Sequence, residues 1–238
     1  MTSAGLRGAA FACALVLAAS VPARAEKVDI ALVLAVDVSA SVDAGEYRLQ
    51  HEGIARAFEN PQVIAAIRGG GRGAIDATVI EWSDRNKQVV TVNWTRIDDA
   101  KSGAAFAAAV RASRRSSAGL TAIGDALFAA GAAFARLGDS PGRRIIDLSG
   151  DGMANIGPDP AQVRDRLVAQ GITVNGLAIL ETEPWLDQYY DRYVVGGDHA
   201  FLLKVDGFQS FATAIEQKIL GEIAARTEPV RAAALQMQ

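Results

Sequence analysis

A short apolar run near the start of the chain ends abruptly in a cluster of oxygen-bearing side chains. The run covers residues 28–36 and is rich in Val, Leu, Ile and Ala, as expected of a strand that is buried on both faces. Directly after it come Asp37, Ser39 and Ser41, one carboxylate and two hydroxyls at alternate positions. In an open α/β sheet, ligands bind just past the carboxyl ends of the strands. The pattern fits a site for a hard divalent cation and a helix-capping turn equally well, because Asp and Ser suit both.

The rest of the chain alternates predicted strands with predicted helices. Further strands are predicted at residues 75–82, 88–94, 144–149, 172–180 and 200–205. Helices are predicted at residues 43–59, 61–67, 99–111, 121–137, 160–170, 184–192 and 208–223, with a break at Asn60-Pro61 between the first two. The loop at residues 83–86 is short enough for an antiparallel hairpin, whose second, more polar strand suits a sheet edge. This order predicts an α/β fold, with a doubly wound, mostly parallel sheet, one antiparallel edge strand and helices on both faces. We expect the first strand to be central in that sheet.

The first 25 residues have the pattern of a secretory signal peptide. Arg7 precedes an apolar stretch, and Ala23 and Ala25 form the Ala-x-Ala ending of a cleavage site. We therefore expect cleavage after Ala25, one domain over residues 26–226 and a loose tail over residues 227–238. The expected location is periplasmic or secreted, without stable membrane insertion. A retained membrane anchor is the alternative, although the stretch is short for a spanning helix.

Composition excludes several classes of function for the mature chain. Its only cysteine, Cys13, lies in the leader, so disulfides, thiolate metal sites and cysteine nucleophiles are excluded after cleavage. The formal net charge is −3, and loss of the two leader arginines makes it about −5. An acidic balance argues against binding to nucleic acid.

Two further oxygen-bearing elements follow later in the chain. Thr121 lies at a loop-to-helix junction within Gly119–Leu127, and Asp151 lies just after the fourth predicted strand, within Leu148–Gly152. Together with the first three residues, they resemble the metal-ion-dependent adhesion site (MIDAS) of von Willebrand factor type A (VWA) domains. More narrowly, the chain is similar to the exported bacterial proteins grouped as DUF1194. One position departs from the VWA pattern, which usually has Thr or Ser directly before the aspartate. Gly150 stands there instead, and we expect it to form a β-bulge.

The resemblance implies a divalent metal ion at Asp37, Ser39, Ser41, Thr121 and Asp151. Mg²⁺ fits the oxygen donors best, and Mn²⁺ or Ca²⁺ are alternatives. The three hydroxyls would be direct ligands, while the two carboxylates would hold bound waters and orient the serines. In VWA domains a Glu or Asp carboxylate from a protein partner completes the metal shell. The expected function is therefore a binding module rather than an enzyme, with a metal-assisted hydrolase using the same site as the alternative.

Other residues are weaker candidates for contact with a partner. Arg114 and Arg115 lie in the loop that leads to Thr121, where they could attract an acidic surface or simply be solvated. Trp185 lies in an irregular stretch and is a candidate interface residue.

Asp147 poses a separate question, because it lies inside an otherwise apolar strand, where an unpaired charge is costly. We expect it to pair with Arg143 or Arg144.

Overall fold

The computed structural model describes residues 27–137 and 141–224. The predicted signal peptide and cleavage site, and the predicted tail, lie outside these residues. Within them, no helix combines the length and the apolar character needed to cross a membrane.

The chain alternates strands and helices in the predicted order. The strands are β1 (Ile30–Asp37), β2 (Ile75–Trp82), β3 (Gln88–Ile97), β4 (Arg143–Gly150), β5 (Ile172–Ile179) and β6 (Leu202–Val205). The helices are α1 (Ala44–Glu59), α2 (Pro61–Arg68), α3 (Ala100–Ala112), α4 (Ile123–Ala133), α5 (Pro160–Ala169), α6 (Leu186–Tyr193) and α7 (Phe211–Ala224). Short 3₁₀ turns at Phe134–Arg136 and Phe208–Ser210 adjoin α4 and α7.

The six strands form one sheet in the order β3-β2-β1-β4-β5-β6. All neighbours pair in parallel except β2 and β3, which form the predicted antiparallel hairpin at the sheet edge. The predicted fold class is confirmed, and β1 lies inside the sheet between β2 and β4. Since β1 and β4 run in parallel, Asp37 and Gly150 end their strands at the same edge.

Strand β1 contributes to two hydrophobic cores, one on each face of the sheet. Its side chains alternate, so Leu32 and Leu34 pack in the core under α1, α3 and α7, whereas Val33 packs with Leu127 of α4 and Tyr190 of α6 in the other. Complete burial of a large apolar side chain stabilises a fold by about 1.5–3 kcal/mol. This double burial explains why the sequence of β1 is uniformly apolar up to Asp37.

The partner of Asp147 differs from the prediction. Its Oδ1 atom lies 3.2 Å from Nζ of Lys218 on α7, and both side chains are fully buried. Residues four apart on a strand are separated by about 13 Å, so Arg143 cannot reach Asp147, and Arg144 projects from the opposite face. The two arginines instead donate to the backbone carbonyls of Glu222 and Gln170, respectively.

Candidate metal site at the carboxyl edge of the sheet

Asp37 is the last residue of β1, and its carboxylate is completely buried. Its Oδ1 atom accepts a 2.7 Å hydrogen bond from the backbone N–H of Ser39, which turns the carboxylate toward the loop that follows. Gln50 of α1 donates a 3.0 Å hydrogen bond to the carbonyl oxygen of Asp37 and so fixes the end of the strand. The loop itself ends at Asp43, which caps α1 in a capping box with Glu46.

A chain of hydroxyl contacts connects this loop to the end of β4. The hydroxyl oxygens of Ser39 and Ser41 are 3.1 Å apart, and the Ser41 hydroxyl donates a 2.8 Å hydrogen bond to Oδ1 of Asp151. Ser39 is buried whereas Ser41 is exposed, so the cluster opens to solvent on the Ser41 side. Four of the five predicted metal-site residues therefore lie within one connected group.

Thr121, the fifth residue, lies in a loop that is bonded to both of these segments. The backbone N–H of Ala40 donates to the carbonyl of Gly119 at 2.9 Å. Thr121 itself donates from its backbone N–H to Oδ1 of Asn155 at 2.8 Å, and the Asn155 N–H donates back to the Thr121 carbonyl at 3.1 Å. Sequence analysis missed Asn155. The one sequence feature that could have indicated its role is an amide side chain four residues after Asp151.

The predicted bulge at Gly150 is absent from the described part of β4. Gly150 pairs with Ala178 of β5 in an unbroken parallel register. The glycine is required by close packing instead. A Cβ atom there would lie 2.6 Å from the Tyr190 hydroxyl and 2.8 Å from Oδ2 of Asp37. Gly150 is thus a regular member of the strand, and Asp151, which follows it, lies beside Ser41.

The two carboxylates of the cluster are electrostatically unfavourable without a cation. Burial, and then the nearby charge of Asp151, raise the pKa of Asp37 to about 7. Burial also raises the pKa of Asp151, although the hydrogen bond from Ser41 opposes this effect. A bound cation would offset the cost of ionising these two carboxyl groups, because it stabilises their charged form.

The donor set matches a hard cation. The connected group offers two carboxylates and the hydroxyls of Ser39 and Ser41, with Thr121 in the adjoining loop, and all of these are oxygen ligands of the kind that Mg²⁺, Mn²⁺ and Ca²⁺ prefer. Within residues 27–137 and 141–224, no group of three or more His, Cys, Asp or Glu side chains is placed to hold a metal ion. A metal site at this edge would therefore need ligands beyond these side chains, and the hydroxyls of the cluster are suitable ones.

The surroundings of the cluster are also acidic. Partial burial raises the pKa of Glu46, and the charges of Asp43, Glu181 and Asp151 add to this shift. On the other side, Oε2 of Glu183 accepts a 3.2 Å hydrogen bond from the backbone N–H of Met153. Such a surface attracts cations and repels a free carboxylate.

The three candidate partner-contact residues occupy different settings. Arg115 donates to the carbonyls of Val38 and Ser39 at 2.9 and 2.8 Å, so its guanidinium group anchors the loop that follows β1. Arg114 is exposed. Trp185 is 54% exposed just before α6, and Leu120, which sequence analysis missed, is 45% exposed next to Thr121.

A buried network holds the loop that carries Arg115. Glu81 of β2 accepts hydrogen bonds from the Tyr47 hydroxyl at 2.9 Å and from the Ser116 backbone N–H at 2.7 Å, and its Oε1 lies 3.1 Å from Nε2 of His51. Burial raises the pKa of Glu81, but its hydrogen bonds, that with His51 foremost, outweigh this effect and leave the pKa below its ordinary value. His51 is thus a buried residue that pairs with Glu81.

Comparison with solved structures places the fold among VWA domains. Proximal thread matrix protein 1 from the mussel byssus aligns with 84% of this chain and 49% of its own, at 18% identity and a TM-score of 0.63. Another structure of that protein has a zinc-occupied MIDAS motif and aligns at 17% identity with a TM-score of 0.60, covering 84% of this chain and 48% of its own. A VWA protein from Catenulispora acidiphila aligns over 82% of this chain and 42% of its own, at 18% identity and a TM-score of 0.55. The chain thus spans about half the length of these structural relatives.

The sequence itself gives a narrower assignment. Residues 27–227 match the model of the family described as "Protein of unknown function (DUF1194)", and the chain belongs to that family. No curated protein matches the chain.

Proposed function

We propose that this protein is an exported binding module that engages an acidic group of a protein partner through a divalent metal ion. Asp37, Ser39, Ser41, Thr121 and Asp151 would hold the ion, most simply Mg²⁺. When bound, the ion supplies a positive charge and an open coordination position for a carboxylate oxygen of the partner. The observation that carries the proposal is the hydrogen-bonded series from Ser39 through Ser41 to Asp151, beside the buried carboxylate of Asp37.

The charge of the surface makes the ion necessary for such binding. The negative charge of Asp151 lies close enough to Glu46 to contribute to the raised pKa of the Glu46 carboxyl. The metal-free surface therefore repels a partner carboxylate. Hydroxyl ligands add no negative charge, and the bound ion therefore retains much of its attraction for an additional anion. Binding to an acidic partner is accordingly expected to depend strictly on the ion.

The same edge offers apolar surface for further contact with a partner. Leu120 and Trp185 are exposed there. A groove next to the site is lined by the loop of residues 154–160 and by Tyr189. Exposed aromatic and aliphatic side chains around a charged centre are typical anchors of protein interfaces.

The site suits a binding module better than a hydrolase. Hydrolysis commonly needs a general base, most often histidine, placed within reach of a nucleophile. His51 interacts instead with Glu81 and the carbonyl of Tyr47, and His199 lies 3.6 Å from Asp198 in an exposed turn. The metal-assisted hydrolase remains the alternative, and turnover of phosphoesters or peptides that Ser39→Ala abolishes would favour it.

The proposal is tested by calorimetric titration with Mn²⁺ and by affinity capture from envelope extract. Asp37→Ala is expected to weaken Mn²⁺ binding by at least ~10–100-fold and to abolish Mg²⁺-dependent capture, with a cooperative thermal melt retained. Asp206→Ala, which removes an exposed carboxylate at the same sheet edge, is the control and is expected to bind like wild type. Equal Mn²⁺ affinity in wild type and Asp37→Ala, or capture that chelator leaves unchanged, would contradict the proposal.

A further inference from the structure

Tyr190 of α6 brings a hydroxyl group into the interior directly behind the metal site. The residue is completely buried, and its ring packs in the core between the sheet and α6. Among the residues that the structure describes, its hydroxyl has no hydrogen-bond partner, and neither has Oδ2 of Asp37. Unpaired polar atoms are rare in protein interiors because their loss of hydration is not compensated.

The two unpaired atoms converge on the same small space. A Cβ atom on Gly150 would lie 2.6 Å from the Tyr190 hydroxyl and 2.8 Å from Oδ2 of Asp37, so both atoms border the backbone of this glycine. Cζ2 of Trp82 closes the space at 3.3 Å. Both atoms border this position, and they are complementary, since the hydroxyl can donate whereas Oδ2 can only accept when ionised. The indole N–H of Trp82 is also unpaired among the described residues, but the atom that Trp82 places at this position is the apolar Cζ2.

The Tyr190 hydroxyl lies next to position 150, where glycine has no side chain. The VWA pattern that the chain resembles usually has Thr or Ser directly before the second aspartate, and here Gly150 occupies that position, in unbroken register with β5. The hydroxyl that β4 lacks is thus replaced in space by one that reaches across from α6. A phenylalanine would fill the same volume without burying an unpaired polar atom, so packing alone does not explain the hydroxyl.

We propose that Tyr190 is a positioning residue of the metal site, whose hydroxyl donates a hydrogen bond to Oδ2 of Asp37 when the ion is bound. The inference rests on the proposed metal site. Oδ1 of Asp37 is already fixed by the N–H of Ser39, so a donor at Oδ2 fixes the second oxygen and hence the plane of the carboxylate. Groups that orient metal-associated carboxylates in this way typically change metal affinity by about 10–100-fold.

The test compares Tyr190→Phe with Tyr193→Phe, which removes a half-buried hydroxyl three residues further along α6. Calorimetric titration with Mn²⁺ is expected to show about tenfold or greater weakening for Tyr190→Phe and no change for Tyr193→Phe. The metal-free melting temperature of Tyr190→Phe is expected to be equal to or above that of wild type, because an unpaired buried hydroxyl is removed. A hydroxyl with a merely structural role would lower the melting temperature and leave Mn²⁺ affinity unchanged.

A double-mutant cycle checks that the tyrosine acts through Asp37. Tyr190→Phe added to Asp37→Asn is expected to weaken Mn²⁺ binding no further than Asp37→Asn alone, since the acceptor is already altered. As a second measurement, Mg²⁺ is expected to change the near-ultraviolet tyrosine spectrum of wild type and of Tyr193→Phe, but not of Tyr190→Phe. Additive losses, or wild-type Mn²⁺ affinity in Tyr190→Phe, would overturn the inference and leave the metal site intact. Failure of the wild-type protein to bind Mn²⁺ would overturn both proposals.

Discussion

The hydroxyl of Ser41 donates a 2.8 Å hydrogen bond to Oδ1 of Asp151, a residue 110 positions later in the chain. This contact joins the loop after β1 to the loop after β4 at the edge where the two parallel strands end. It is also the contact that a metal ion would use, because a hydroxyl already bonded to a carboxylate is oriented to present its remaining lone pair.

Ser41→Ala is expected to weaken Mn²⁺ binding by about tenfold or more, since it removes a proposed ligand together with the contact that orients Asp151. The free energy of unfolding is expected to fall by only about 0.5–1.5 kcal/mol, the usual net value of one hydrogen bond. Calorimetry and chemical denaturation measure the two quantities. Ser210→Ala, at an exposed position, is the control for loss of a hydroxyl. Unchanged Mn²⁺ affinity in Ser41→Ala would argue against a ligand at this position.

Metal affinity is expected to rise with pH and to level off above pH 7. The pKa of Asp37 is raised to about 7 in the metal-free protein, so below that pH a proton must leave before the carboxylate can serve a cation. Mn²⁺ titrations at about pH 6 and about pH 8, with wild type and Asp37→Asn, measure this dependence. The slope is expected to flatten in Asp37→Asn, and an equal slope in both proteins would assign the proton to another group.

The same shift predicts how the metal-free fold responds to pH. The ordinary pKa of Asp37 is 3.8, so between that value and about 7 the native state holds a proton that the unfolded state has lost. The free energy of unfolding is therefore expected to fall as the pH rises through this interval, and less so in Asp37→Asn. Chemical denaturation of metal-free wild type and Asp37→Asn at several pH values in this interval measures the direction of the change. A free energy of unfolding that rises with pH equally in both proteins would contradict the prediction.

Arg115→Met is expected to lower both the free energy of unfolding and the metal affinity. The guanidinium group holds the carbonyls of Val38 and Ser39, and hydrogen bonds from charged groups contribute about 1.5–3 kcal/mol. Arg114→Met, at the exposed neighbouring position, is the matched control and is expected to leave both quantities near wild type. If Arg114→Met destabilised the protein as much as Arg115→Met, the loop would not depend on this contact.

Lys218→Met is expected to destabilise the fold strongly. Nζ of Lys218 lies 3.2 Å from Asp147 and 3.1 Å from Glu222, all three being buried, so its loss leaves two carboxyl groups without a cation. Removal of one member of such a group typically costs about 3–5 kcal/mol. Lys204→Met breaks an exposed pair with Asp187 and is expected to have little effect on the thermal melt. Similar melting temperatures for the two variants would show that the buried group is not held by Lys218.

Export is expected to remove the first 25 residues. Amino-terminal sequencing of the protein from the periplasmic or secreted fraction is expected to begin at Glu26, because the Ala-x-Ala pattern ends at Ala25. An Ala25→Arg variant blocks that pattern and is expected to accumulate with its leader attached. Recovery of wild type with an intact Met1 terminus in the envelope fraction would identify the leader as an anchor.

The sequence by itself determined the fold class and the order of the elements. A short apolar run rich in Val, Leu and Ile, such as residues 28–36, favours a strand covered on both faces, and the alternation of such runs with helical patterns indicates a mostly parallel sheet. It also indicated which residues meet at the sheet edge, because parallel strands bring their carboxyl ends together. The resemblance to the VWA metal site then implied that Asp37, Ser41 and Asp151 belong to one cluster, and the structure places β1 next to β4.

Only the tertiary structure decided the contacts that no spacing encodes. Lys218 reaches Asp147 from a distant helix, and Arg115 binds backbone carbonyls, which have no residue-specific signature in a sequence. The bulge predicted at Gly150 was wrong for the same reason. A glycine permits either an unusual backbone conformation or a close approach, and only the position of Tyr190 in the folded protein selects the second.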